Sequence, residues 1–232
     1  MSTVLNQTKA ETALKPKRFE LLVFDWDGTL TDSADLIVAS MQVACIEFGL
    51  PVPDAGQVRH IIGLGFREAL AHLLPELPVS DYPRLVERYR YHFLSRDAPI
   101  PVFPGAIETI QKLHSAGFLL AVATGKSRKG LSRDFHETGL GKYFHASRCA
   151  DECLSKPHPA MLLELIEELQ VAADKTLMIG DTTHDLQMAQ SAGVASLAVG
   201  YGAHSRESLL ALSPLDCVND TRELQQWLKS HA

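Results

Sequence analysis

The feature that most constrains this chain is an alternation. Short apolar runs, each delivering a polar or glycine-bearing loop, are separated by stretches with helical spacing. The runs are Leu21-Leu22-Val23-Phe24, Phe118 to Ala123, Thr176-Leu177-Met178-Ile179 and Ala195 to Val199, with a short one at Phe144-His145-Ala146-Ser147. Between them lie a helix carrying Ile107, Ile110 and Leu113 that ends at Ala116-Gly117, a helix from Lys129 to Thr138 ending at Gly139, a helix from Ala160 to Leu169 behind Pro157 and Pro159, and a helix closed by Ala192-Gly193. Runs that are apolar on both faces belong to buried parallel strands. Right-handed crossovers then place the helices on both sides of the sheet. The expectation is an α/β fold, a doubly wound parallel sheet with a Rossmann-like core. Ligands of such sheets bind beyond the carboxyl ends of the strands, and Asp25, Thr124 and Asp181 all fall there.

The alternation breaks once. Thr31-Asp32-Ser33 offers capping side chains to a helix with apolar positions Leu36, Ile37, Met41, Ala44, Cys45 and Phe48, stopped by Gly49 and Pro51. Helical patterns follow at Val58 to Ile62, Phe66 to Leu74 and Tyr82 to Leu94, with no strand among them. The stretch ends at the stiff Ala98-Pro99-Ile100-Pro101. This predicts an inserted all-α cap domain, residues 35–98, within a core made of 19–34 and 99–232. Entering just after the first strand, the cap would close over the strand ends and exclude water. Residues 1–18 are polar and aperiodic, which predicts a flexible N-terminal tail.

Composition narrows the partners. The 232 residues are 46% hydrophobic and 22% charged, with a net charge of −6, so nucleic acid is not expected as a partner. No apolar run approaches the roughly 18 to 20 residues of a membrane span, and no secretory signal precedes residue 19. The four cysteines, Cys45, Cys149, Cys153 and Cys217, form no disulfide framework, which fits a reduced cytoplasm. Cys149, Cys153 and His158 match no zinc spacing. A monomer or homodimer acting on a small molecule is expected.

The chemistry starts at Asp25-Trp26-Asp27-Gly28-Thr29. Two carboxylates two residues apart at a strand end, turned by a glycine, can have different surroundings and separate roles, one attacking and one moving protons. Downstream come Thr124-Gly125-Lys126 after the second strand, Lys156-Pro157 before a helix, and Gly180-Asp181-Thr182-Thr183-His184-Asp185 after another strand. In this order the four loops resemble the motifs of the haloacid dehalogenase superfamily, and the helical insert, Pro104-Gly105 and Gly180-Asp181-Thr182 are similar to its phosphoglycolate phosphatase-like group. The resemblance extends from Phe19 over nearly the whole chain. It implies a Mg²⁺-dependent phosphatase acting through an aspartyl phosphate. Asp25 would be the nucleophile, and Asp27 the general acid and base with its main-chain carbonyl on the metal. Thr124 would bond a phosphoryl oxygen, and Gly125 would sit beside it in the substrate loop. Lys156 would tether nucleophile and phosphate. Asp25 and Asp181 would complete the Mg²⁺ site, with Asp185 either binding the metal through water or orienting the other ligands. The substrate implied is 2-phosphoglycolate or a sugar phosphate. A sugar phosphomutase would use the same aspartates, and a non-catalytic, receiver-like phospho-binding module is the reading from another class.

Specificity is expected from Gly63-Leu64-Gly65-Phe66-Arg67. Its glycines, Gly65 included, would let backbone approach a ligand, and Arg67 would grip a carboxylate or second phosphate. Lys126 and Arg128 read as surface charges and His184 as an exposed loop histidine. Trp26 would pack beneath the cap hinge, and Met178 and Met188 in the core.

Overall fold

The structure is a computed structural model that describes residues 18–96 and 99–232. The tail expectation, apart from Arg18, lies outside the described residues. One six-stranded parallel sheet forms the frame, its strands β1 (Leu21–Phe24), β2 (Leu119–Thr124), β3 (Ala146–Cys149), β4 (Thr176–Gly180), β5 (Ala195–Val199) and β6 (Cys217–Val218) lying in the order β3-β2-β1-β4-β5-β6. Its central strand, β1 (Leu21–Phe24), pairs Leu21 with both Leu119 and Thr176 and is completely buried, as an apolar run without alternation requires.

The insert follows directly: α1 (Ala34–Glu47), α2 (Ala55–His60), α3 (Phe66–Leu73) and α4 (Tyr82–Leu94). Asp54 caps α2 through a capping box with Gln57, and Pro83 sits in the first turn of α4. These helices bury a core of their own, centred on Met41, Val58, Leu70, Leu85 and Phe93, separate from the clusters on the two faces of the sheet. The chain enters and leaves the insert on two adjacent threads: Asp32 N–H donates to Pro101 O at 2.8 Å and Phe103 N–H to Leu30 O at 3.0 Å.

The wound half continues with α5 (Ala106–Ser115), β2 (Leu119–Thr124), α6 (Arg128–Thr138), β3 (Ala146–Cys149), α7 (Ala160–Leu169), β4 (Thr176–Gly180), α8 (Thr183–Ser191) and β5 (Ala195–Val199). Pattern reading stops at Gly202. Beyond it the chain adds α9 (Arg206–Leu210), the edge strand β6 (Cys217–Val218) and α10 (Thr221–His231). A two-residue strand is too short for hydrophobic periodicity to register, and β6 is placed by its pairing with Ala198 and Val199. Met178 and Met188 are buried as expected, and all four cysteines are free. No helix among the described residues is long and apolar enough to cross a membrane.

Candidate active site

The loop after β1 is shaped by sterics. Leu30 and Thr31 N–H both donate to Trp26 O, a tight turn that passes through Gly28 at φ +85°. A Cβ on Gly28 would also collide with the Asp181 carboxylate, so glycine is required twice over. Asp25 extends the sheet register, its N–H donating to Ile179 O at 2.9 Å, and is 1% exposed.

Three further loops converge on it. Lys156, between β3 and α7, has no exposed surface and lies 2.7 Å from Asp25 Oδ1 and 2.6 Å from Asp185 Oδ1. Asp181 stands between Thr29 Oγ1 and the Ala203 N–H, each donating at 2.7 Å. Asp185 does two things. It closes a capping box with Thr182 at the start of α8, accepting from Thr182 N–H at 3.1 Å, and it faces Lys156. The helix-cap role and the site role are one placement. Thr124, at the end of β2, is 1% exposed and lines the same cavity as Asp25 and Asp27.

The electrostatics are those of a crowded anionic pocket. Burial, reinforced by Asp185 and Asp181 against the pull of Lys156, holds the Asp25 carboxyl well above the ordinary range. Burial and the Asp185 charge push Asp181 up to about 7. Burial would strip the proton from Lys156, but Asp185 and Asp25 override it and hold the ammonium above its usual value. Asp25, Asp181 and Asp185 each present an oxygen within 4.8 Å of the others, and Asp25 Oδ2 is buried without a partner. A hard, oxygen-seeking dication fits such a set, because it would offset the like charges and satisfy the orphaned oxygen.

Asp27 is held differently. Ser33 Oγ donates to Oδ1 at 2.7 Å, and Lys126 Nζ lies 3.0 Å from both carboxylate oxygens. The surface reading of Lys126 is therefore corrected. Its side chain is 9% exposed and it also pairs with Asp134 at 3.0 Å, which accepts from Trp26 Nε1 at 3.2 Å. Sequence spacing missed this group because Asp134 is brought in from α6, 107 positions beyond Asp27. Trp26 packs edge-on against Phe135 and Phe144 beneath α6. Arg128 does stay near the surface, paired with Glu152.

On the insert side the outcome is mixed. A Cβ on Gly125 would lie 2.5 Å from Gly63 O and 2.6 Å from Leu64 O, so here core and insert meet backbone to backbone. Gly65 does not line the cavity; its N–H donates to Ser155 Oγ at 2.7 Å, a contact with the core. Arg67 is exposed and does not line the cavity, because α3 turns Phe66 inward and Arg67 out. His184, expected in an exposed loop, is instead buried in α8. His184 Nε2 and His204 Nε2 both reach His60 O, at 2.8 and 3.2 Å, tying the core to the end of α2. Among the described residues the acidic trio is the one grouping of His, Cys, Asp or Glu close enough to hold a metal ion.

A parallel sheet whose strand ends gather paired aspartates, a threonine and a buried lysine beneath a helical insert defines a class of phosphoryl-transfer hydrolases. Residues 22–199 match the haloacid dehalogenase-like hydrolase family, and the chain belongs to it. A protein of Dickeya dadantii named "Probable phosphatase IndB" is 36% identical over 88% of this chain and 91% of its own. A phosphoglycolate phosphatase of Vibrio parahaemolyticus is 34% identical, covering 87% of this chain and 92% of its own. A hydrolase from Pseudomonas syringae shares the fold with a TM-score of 0.84 at 23% identity, over 91% of this chain and 98% of that one. The chain is thus a phosphoric monoester hydrolase of this family.

Proposed function

We propose that the protein hydrolyses a small phosphorylated metabolite with Mg²⁺, by way of a phosphoryl group carried on Asp25. The observation that carries this reading is the nucleophile's own geometry: Lys156 holds Asp25 Oδ1 at 2.7 Å, while Oδ2 is unpartnered and the residue lines the cavity shared with Asp27 and Thr124.

In the proposed sequence, Asp25 Oδ2 attacks phosphorus and Asp27 gives its proton to the departing ester oxygen. Asp27 then takes a proton from the water that attacks phosphorus and releases phosphate, returning Asp25 as a carboxylate. Thr124 Oγ1 and Lys156 Nζ hold phosphoryl oxygens, the first as a neutral donor and the second as a buried point charge. Asp25, Asp181, Asp185 and the Asp27 main-chain carbonyl would hold the Mg²⁺, whose contribution when bound is to neutralise phosphate charge. Residues 35–98 act as a cap that keeps bulk water from the phosphoaspartate. The free cysteines suit a reducing, cytoplasmic setting.

The substrate implied by resemblance, 2-phosphoglycolate or a sugar phosphate, sets the first assay. Phosphate release is measured from 4-nitrophenyl phosphate, 2-phosphoglycolate and sugar phosphates, with and without Mg²⁺. Mg²⁺-dependent release from any of these that disappears in Asp25→Asn supports the reaction. Isomerised sugar phosphate without net phosphate release would replace it with a mutase.

A further inference from the structure

The cavity above Asp25 and Asp27 is larger and more apolar than a phosphoryl group needs. Its volume is about 320 Å³. The wall facing the catalytic loops is built by Ile37 and Met41 of α1, Ile61 after α2, Phe66 of α3, and Tyr89 and Phe93 of α4. Of these all but Phe66 are buried. The rings form a continuous surface: Phe66 meets Tyr89 edge-on with centroids 5.1 Å apart, and Tyr89 stacks on Phe93 at 5.6 Å.

Tyr89 gives this wall a polar handle. Tyr89 is 8% exposed, its hydroxyl has no hydrogen-bond partner among the described residues, and it lies near enough to Asp27 and Arg133 for their charges to act on it. Burial first, and then Asp27, keep the phenol protonated, so it is a donor without an acceptor. The hydroxyl is reachable from the cavity, where an acceptor on a bound molecule can pair with it.

The size of the apolar wall, more than the charges around it, argues against a short acid as the best occupant. Lys126 is already paired with Asp27 and Asp134, and Arg133 with Asp134 and Glu137. Arg90, 5.5 Å over the Phe66 ring, and Lys129 are exposed but also line the cavity. A two-carbon carboxylate could meet one of these cations but would leave most of the apolar wall against water.

We infer that the cavity receives the leaving group of the substrate, and that this group carries a flat, largely apolar ring, aromatic or heteroaromatic, with an acceptor for the Tyr89 hydroxyl. The inference rests on the phosphatase reading above, and adds to it the chemical class of the ester.

Matched pairs of primary-alcohol esters test it, because the departing oxygen is alike within each pair. The kcat/KM for phosphate release is compared for 2-phenylethyl phosphate against ethyl phosphate, and for a nucleoside 5′-monophosphate against ribose 5-phosphate, with 2-phosphoglycolate as the small anionic comparator. Ring-bearing esters are expected to lead by tenfold or more in both pairs. Tyr89→Phe should lower kcat/KM about tenfold for the nucleotide, whose ring carries acceptors, and leave 2-phenylethyl phosphate within twofold. Binding to Asp25→Asn by calorimetry, with no turnover involved, should rank the esters in the same order. Equal or better use of ethyl phosphate or 2-phosphoglycolate overturns the inference while the phosphatase reading stands. Absence of Mg²⁺-dependent release from every ester, 4-nitrophenyl phosphate included, overturns that reading and the inference with it.

Discussion

The two walls of the cavity are built on opposite principles. On the sheet side, Asp25, Asp27, Asp181, Asp185, Lys126 and Lys156 are locked by ion pairs and short hydrogen bonds, and Lys156, Asp181 and Asp185 have no exposed surface at all. On the insert side the wall is mostly hydrocarbon, with the Tyr89 phenol set in it and Arg90 at its exposed edge. Charged groups removed from water must be compensated partner by partner, which leaves them little freedom to vary. Apolar packing asks only for volume and shape, so one residue can replace another at modest expense. On the function proposed above, the reaction is tied to specific side chains, and the choice of leaving group to a surface that can be recut.

The strongest way to break the contrast is at its charged end. Asp25→Asn removes the attacking oxygen and should lower phosphate release by about 10⁴-fold, with circular dichroism unchanged; appreciable turnover would place the nucleophile elsewhere. Lys126→Met strands Asp27 and Asp134 together. Alkyl ester hydrolysis should fall about 10²-fold, the scale of general acid–base assistance. An activated aryl ester, whose oxygen leaves without help, should fall much less. A uniform loss across both esters would reduce Lys126 to a packing residue.

The seam between the walls gives two smaller effects. His204 is pushed down to about 4, by burial first and then by the charges of His184 and His60, and His184 is lowered too. Between pH 6.5 and 4 the unfolded chain takes up a proton on His204 that the folded chain refuses, so folding stability is full above pH 6.5 and declines as pH falls through this window. The expected loss is on the order of 2 kcal/mol, about a thirtyfold change in the unfolding equilibrium. Urea titrations at pH 7 and 4.5 should show a smaller decline in His204→Gln, which keeps a donor and an acceptor but cannot be charged. Gly125→Ala drives a methyl group at the carbonyls of Gly63 and Leu64, and backbone cannot yield as a side chain would. Displacing the insert by a fraction of an ångström should lower kcat/KM about tenfold for esters that touch it, and less for 4-nitrophenyl phosphate. The smallest effect is Arg67→Ala, expected within twofold for every ester including 2-phosphoglycolate, since the side chain faces solvent; a tenfold loss on phosphoglycolate alone would return Arg67 to the site.

Legibility from sequence follows the same division. Asp25, Thr124, Asp181 and Asp185 could be found because each sits at a strand end or helix start that local pattern already marks, and Lys156 because it precedes Pro157 in the loop leading to α7. Lys126 could not, since its environment is made by Asp134 from another helix and nothing local to Thr124-Gly125-Lys126 announces burial. Arg67 misled for the converse reason: in a run of glycines and an arginine, only the phase of α3 decides which side chain turns inward. His184 and His204, twenty positions apart, meet over a carbonyl of α2, a meeting that only the docked insert creates. The edge strand β6 has too few residues to carry a period of any kind.

The two threads joining insert to sheet run side by side, bonded between Asp32 and Pro101 and again between Leu30 and Phe103. A unit plugged in through adjacent contacts leaves its socket almost closed when it is taken out. Excising the helices and joining the ends with a few residues should leave a foldable sheet domain, and a foreign helical unit spliced across the same gap would inherit the reaction and bring its own selectivity. The chain is in this sense modular at one address, and diversification of substrate needs no change to the machinery beneath.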